Sequence, residues 1–281
     1  MCEFCLKHGE GKTWYLQARN YSEDLLSDTR RSEFIGHFFT DTRSLKKDAR
    51  RLEALAKAPK QVRDMVIGVV SRRQKKAHFG QVLPIEDVER IFEFTNSVVR
   101  VACICRHVTL GKEKRYCYGV SLGTNGGEMA EILRGLDGSF LNGPNTAGLE
   151  SLSKEEALAH MRDHEREGLC HTVWTFVAPF TGGLCNCDRS DCMAMQATVT
   201  HDFKVMFRAE YVAAVNLDLC TGCRSCMRVC QFGALAYSAA NQKAFVDSTA
   251  CYGCGICRSA CKQAAVALKP RAEAPVAANL W

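Results

Sequence analysis

Eight cysteines near the C-terminus carry the clearest chemistry in this 281-residue sequence. Cys220, Cys223, Cys226 and Cys230 are separated by two, two and three residues, and Cys251, Cys254, Cys257 and Cys261 repeat that spacing. Thiolates at every third position of a tight loop can wrap three corners of an iron–sulfur cube. The fourth, three residues on, has entered a helical turn that points away, so it serves the other cube. The spacing assigns Cys220, Cys223, Cys226 and Cys261 to one [4Fe–4S] centre, and Cys251, Cys254, Cys257 and Cys230 to a second. Zinc instead takes pairs of ligands set apart by a longer loop, not four in one run.

A second constellation lies upstream. Cys103 and Cys105 fall in VVRVACICR, Cys117 in YCYGVSL, and Cys185, Cys187 and Cys192 in GGLCNCDRSDC. Read as strands, each Cys-x-Cys pair points both thiols to one face. These six cysteines are expected to hold a third metal centre, an iron–sulfur cluster or zinc, with Cys170 and His171 close by. A buried cysteine can also be a small hydrophobe, but two Cys-x-Cys pairs beside a Gly-Gly argue for ligation. At the N-terminus Cys2, Cys5 and His8 form half of a zinc or iron–sulfur site, to be completed by a ligand from elsewhere. His160 and His164 lie one helical turn apart, yet their charged neighbours point to a solvated face.

The paired cysteine runs, LDLCTGCRSCMRVC and STACYGCGICRSAC, resemble the bacterial two-cluster ferredoxins over residues 217–269. The resemblance implies a pseudo-twofold αβ fold and one-electron transfer at low potential. Ferredoxins of this kind usually place proline after the last cysteine of each run, whereas this chain has Gln231 and Lys262. Each restores an N–H near cluster sulfur and Lys262 adds positive charge, so a somewhat raised potential is expected. With ACICRH, GLCH and GLCNC upstream, residues 98–269 also resemble a group of iron–sulfur proteins of anaerobes. These carry CxCR and CNC motifs before a C-terminal two-cluster domain.

The elements that must position these thiols are legible from periodicity. Leu45, Ala49, Leu52, Leu55 and Ala56 recur at helical spacing, Pro59 interrupts, and Val62, Val66, Val69 and Val70 resume. Pro84 opens a further helix, IEDVERIFEF. Ser153 and Glu156 form a capping box at the start of SKEEALAHMRDHERE, which Gly168 closes. Strands are expected at VVRVACICR, YCYGVSL, HTVWTFVAPF and YVAAVNLD, and ALAYSAANQKAFVD reads as a hairpin turning at AANQ. Glycine-rich residues 124–148 read as loop, and no GxGxxG follows a strand, which excludes a dinucleotide site. The tail PRAEAPVAANLW reads as a linker whose apolar end, Leu280 and Trp281, is suited to docking. The fold class is therefore α+β, with a helical N-terminal region (1–97), a cysteine-rich αβ central domain (98–210), a ferredoxin domain (211–269) and a tail (270–281).

The formal net charge of +6 overstates the basicity. Each oxidised cluster with four thiolates contributes about −2, which brings the loaded protein near +2. Residues 43–76 hold a basic block ending in RRQKK, read as a solvated helical face or a docking face for an acidic partner. No aromatic interleaving supports nucleic acid. The start, MCEFCLKHGEGK, has no apolar leader region and no run approaches a membrane span, so a cytoplasmic, reducing setting is expected. The favoured reading is an electron-transfer protein or subunit serving a partner oxidoreductase or flavoprotein, within a complex. The alternatives are an oxidoreductase whose central cysteines are catalytic, and, less favoured, a redox-sensing regulator. No general base, substrate pocket or flavin motif can be named.

Overall fold

The computed structural model describes residues 13–111, 116–136 and 149–280. Three helices come first. α1 (Thr29–Thr40) and α2 (Thr42–Ala56) each start where an aspartate, Asp28 or Asp41, accepts a hydrogen bond from a first-turn amide, which satisfies donors the helix leaves unpaired. Pro59 ends that pattern and caps α3 (Lys60–Ala77). α4 (Ile85–Phe94) follows Pro84, with Glu86 and Asp87 in its first turn.

The central layer is a seven-stranded sheet among the described residues, in the order β4-β2-β3-β6-β5-β1-β7. Its strands are β1 (Gly80–Leu83), β2 (Ser97–Val101), β3 (Cys117–Ser121), β4 (Glu150–Leu152), β5 (Cys170–Thr175), β6 (Thr181–Cys187) and β7 (Met206–Phe207). All pairings are antiparallel except β1 with β7. Strand alternation sends Tyr118, Val173 and Leu184 to one face. There they form a core with Val88 and Ile91 of α4 and with Ala157 and Met161 of α7 (Lys154–Arg166). Alternation sends Cys117, Cys170, Cys185 and Cys187 to the opposite face.

The ferredoxin segment is built from two short ladders. β8 (Tyr211–Val215) pairs with β11 (Val266–Pro270), and β9 (Leu235–Ser238) pairs with β10 (Lys243–Val246). Two short helices, α8 (Ser225–Val229) and α9 (Ile256–Ser259), follow the cysteine loops. The expected hairpin turns at Ala239–Gln242, as AANQ indicated.

Several local expectations are corrected. The stretch read as helical to residue 97 contributes β1, and Trp14, Tyr15 and Tyr21 enter the same core as the central sheet. Part of the glycine-rich 124–148 stretch is a helix, α6 (Gly127–Arg134), which buries Met129, Ala130 and Leu133. Those three recur at helical spacing, a signal the surrounding glycines obscure. His164 is buried and bonded to the Tyr118 hydroxyl (2.8 Å), not solvated. The tail is docked rather than linker-like: Arg271 is buried and donates to the carbonyls of Ala277 and Leu280 while pairing with Glu210 (2.7 Å).

Candidate metal centres

The two C-terminal cysteine loops share one backbone design. Gly222 and Gly253 both adopt left-handed backbone (φ 69° and 72°), and a side chain there would collide with the carbonyl of Gln242 or of Tyr211. Two residues later Arg224 and Gly255 are also left-handed (φ 63° and 83°). Only glycine tolerates both that conformation and so close a backbone approach without strain. These turns curl each loop, and α8 and α9 then carry the later cysteines away.

The outcome is crossed. One cavity is walled by Cys251, Cys254 and Cys257 of the second run together with Cys230 of the first. Burial raises the Cys226 pKa, and the nearby Cys261, Cys223 and Cys220 thiols raise it further. Backbone amides donate to the sulfurs: Ala213 to Cys251 (3.4 Å), Ala234 to Cys230 (3.3 Å) and Ala265 to Cys261 (3.3 Å). Soft thiolates in a small apolar chamber ringed by N–H donors are the donor set a [4Fe–4S] cube requires. The two groups differ in depth: Cys223 is exposed, whereas Cys251, Cys254 and Cys257 are all buried.

The six upstream cysteines converge on one face of the central sheet, by a route the sequence reading missed. β2 ends at Val101, so Cys103 and Cys105 are not strand residues. Cys103 caps α5 (Ile104–Leu110) and Cys105 lies in its first turn. Cys117 and Cys185 are cross-strand partners with sulfurs 3.1 Å apart. Cys187 lies opposite Cys170, and its sulfur is 3.3 Å from that of Cys192. Cys103 packs in one apolar cluster with Cys117, Cys192 in a neighbouring one with Cys187, and Cys105 and Cys185 lie partly buried against both. The neighbouring Cys105 and Cys187 thiols hold the Cys192 thiol well below its usual pKa, aided by Arg106. The neighbouring Cys117 thiol lowers Cys103 in the same way.

Arg106, buried at 1% exposure, anchors this patch. It pairs with Asp188, donates to the Asn186 carbonyl (3.0 Å), approaches the Cys103 sulfur (3.7 Å) and stacks over the Tyr116 ring (4.3 Å). Its place directly after the Cys-x-Cys pair is the one signal the sequence offered. Beside it opens a polar cleft of about 360 Å³ that also reaches Glu167, Arg189 and Gln231. Among the described residues no three ligand-type side chains are set around a single metal ion. The two ferredoxin groups do not meet that geometry either, because ligands of a cube stand further apart than ligands of one ion. Cys2, Cys5 and His8 lie outside the described residues.

The ferredoxin segment is fastened to this patch. Gln231, in the position the two-cluster ferredoxins usually give to proline, accepts from the Arg189 amide (2.9 Å) and donates to the Gly168 carbonyl (2.7 Å). Tyr252 stacks on Phe232 (4.1 Å between ring centres) and under Arg208 (4.4 Å). Cys170, fully buried, donates to the His171 carbonyl (3.6 Å) and shares an apolar cluster with Cys254.

Residues 213–262 match the 4Fe-4S dicluster domain family. No curated protein matches the chain. The match supports bound iron–sulfur clusters and an electron-transfer role for this segment. No helix among the described residues is long and apolar enough to cross a membrane.

Proposed function

We propose that the protein is an electron-transfer protein or subunit, exchanging single low-potential electrons with a partner oxidoreductase or flavoprotein. Cys220, Cys223, Cys226 and Cys261 hold one [4Fe–4S] cluster, and Cys251, Cys254, Cys257 and Cys230 hold the other. The crossed cavity, in which Cys230 joins the three thiols of the other run, is the observation that carries this reading. Clusters of this type supply one-electron chemistry in which no bond need form or break. The chain's own residues set solvent access, hydrogen bonding to sulfur and the face offered to a partner.

That face surrounds Cys223. In the chain on either side of it Leu217 and Leu219 are exposed at 51% and 49%, and Asp218, Arg224 and Arg228 are exposed as well. Exposed leucines with two arginines and one aspartate nearby in sequence fit a partner with an acidic or mixed surface. The reading makes the six central cysteines a third centre, for which an iron–sulfur cluster fits better than zinc, since no three ligand-type side chains among the described residues surround a single ion. A second reading, an oxidoreductase with a catalytic central site, draws on the polar cleft beside Arg106, which lies against the Cys103 sulfur.

Charge reversal tests the favoured reading. Arg224→Glu with Arg228→Glu should slow electron exchange with the native partner at low salt, leave cluster content intact and flatten the salt dependence. Steering of this kind is screened over a Debye length of ~8 Å at physiological ionic strength. A rate indifferent both to salt and to the reversal would contradict docking at this face.

A further inference from the structure

α2 and α3 carry the basic block of the sequence, and among the described residues of these two helices not one is buried. Their inner side is nonetheless defined. Leu52 of α2 and Ile67 and Val70 of α3 pack, partly buried, against the apolar cluster that includes Cys187, Cys192 and Cys254. A different side of α3 faces solvent. Val62, Met65 and Val69 fall there at i, i+3 and i+7, which sets them on one face, and they are 46%, 66% and 57% exposed. Arg72, Arg73 and Lys76, also exposed, continue that face through the last turns. From Val62 to Lys76 the stripe runs about 21 Å, or about four turns. A helix with one packed apolar side and a second apolar stripe in water is not the pattern of a simple surface helix. Single exposed apolar residues are ordinary, but three in register form a patch.

We propose that the outer face of α3 is a protein-docking surface whose partner is a helical segment, apolar where it meets Val62, Met65 and Val69 and acidic where it meets Arg72, Arg73 and Lys76. The inference stands independently of the cluster assignment and adds a second contact to the one around Cys223. Charge complementarity selects an acidic partner. From Arg43 to Lys76 twelve Lys/Arg stand against three Asp/Glu. Two of those acids are already paired within the helices, Asp48 with Arg51 and Asp64 with Lys60. The order of residues along the axis selects a protein. A helix lying on a membrane keeps its apolar residues on one side and its cations on the other. Here both occupy the same side, so the plane that takes up Met65 would take up Arg72 and Arg73 as well. A nucleic-acid backbone engages the cations and gives the apolar turns no role. A second copy laid along the whole face would set cation against cation, or cation against valine. A segment with apolar and acidic turns in succession satisfies both halves: the cations steer the encounter and the apolar turns hold it.

The test is fluorescence anisotropy with the full-length protein, purified anaerobically, and a labelled helical peptide of about four turns. One face of the peptide carries leucines in its first two turns and glutamates in the next two, and a control peptide has the same residues scrambled. The ordered peptide is expected to bind at least about tenfold more tightly than the scrambled one. Met65→Glu should weaken its binding by about tenfold or more, and Arg72→Glu with Arg73→Glu should do the same while removing most of the salt dependence. All three side chains are exposed, so the thermal midpoints should match wild type; if Met65→Glu does not fold, Met65→Ser carries the same expectation. Equal binding of the two peptides, or binding indifferent to the Met65 substitution, would overturn the proposal. Tighter binding to phosphatidylserine vesicles or to duplex DNA than to the ordered peptide would overturn it in favour of a membrane or a nucleic acid. Concentration-dependent dimers abolished by Met65→Glu would overturn it in favour of a second copy of this chain.

Discussion

Replacing Arg106 by leucine removes, among the described residues, the one cation buried against the central thiols. The structure allows its cost to be worked out. Arg106 is almost wholly enclosed, and the side chain of its partner Asp188 is 12% exposed. Removing one member of a buried ion pair costs about 3–5 kcal/mol, because the other charge is left without compensation. Asp188 keeps two hydrogen bonds, from the Ser190 hydroxyl (2.7 Å) and the Asp191 amide (2.6 Å), and it borders the cleft, so water can reach it. The lower end, about 3 kcal/mol, is therefore expected. In a chain of this size each kcal/mol moves the thermal midpoint by about 2–4 °C, so the midpoint should fall by about 6 °C or more. Adding Asp188→Asn removes the orphaned charge and should recover a large part of the loss, a coupling that only a contacting pair shows. The assay is anaerobic thermal unfolding followed by tryptophan fluorescence. A fall of less than about 2 °C, or strict additivity of the two substitutions, would refute the anchoring role.

Two other outcomes follow from the same structure. Burial depresses the pKa of His78, His164 and His171, each to about 4 from an ordinary 6.5. The unfolded chain thus binds protons that the folded chain refuses. The stability these groups contribute is full above pH 6.5 and is lost as pH falls toward 4, at up to about 1.4 kcal/mol per pH unit for each histidine. Denaturant midpoints at pH 7.5 and pH 5 check this, and an equal midpoint at both would contradict it. Cys226→Ala and Cys257→Ala should each remove one cluster, leaving about four fewer irons per chain. Their losses should fall on different EPR signals, and loss of the same signal from both would contradict the crossed assignment.

The ferredoxin segment was legible because its chemistry is local. Cysteine spacing fixes the loops, and the same loops demand glycine at Gly222 and Gly253. The capping box at Ser153 and the break at Pro59 were legible for the same reason, since each acts within one turn. The central patch was legible as a set of residue types but not as a geometry. Cys103 and Cys105 were expected on a strand, yet the chain turns into α5 at Cys103, which leaves Cys103 as the buried helix cap and Cys105 half-buried in the first turn. Contacts between distant segments left no pattern to read. Cys170 with Cys254, Gln231 with Gly168, and Arg106 with Asp188 join residues dozens of positions apart, and such pairings depend on strand order, which periodicity does not encode. His164 was misplaced for a related reason: its charged sequence neighbours occupy the other faces of α7, while Tyr118 comes from a strand far away in sequence.

The central claim is that this chain carries two crossed [4Fe–4S] sites and a third centre on the central sheet. Iron, acid-labile sulfide and zinc per chain on anaerobically purified protein, with EPR of the reduced sample, test it most directly. The account predicts about eight irons from the two ferredoxin-type groups. Beyond those it predicts either about four more from a central cluster or one zinc in its place. Eight irons with no other metal and freely titrating central thiols would contradict the third centre, and zinc without iron would contradict the whole assignment.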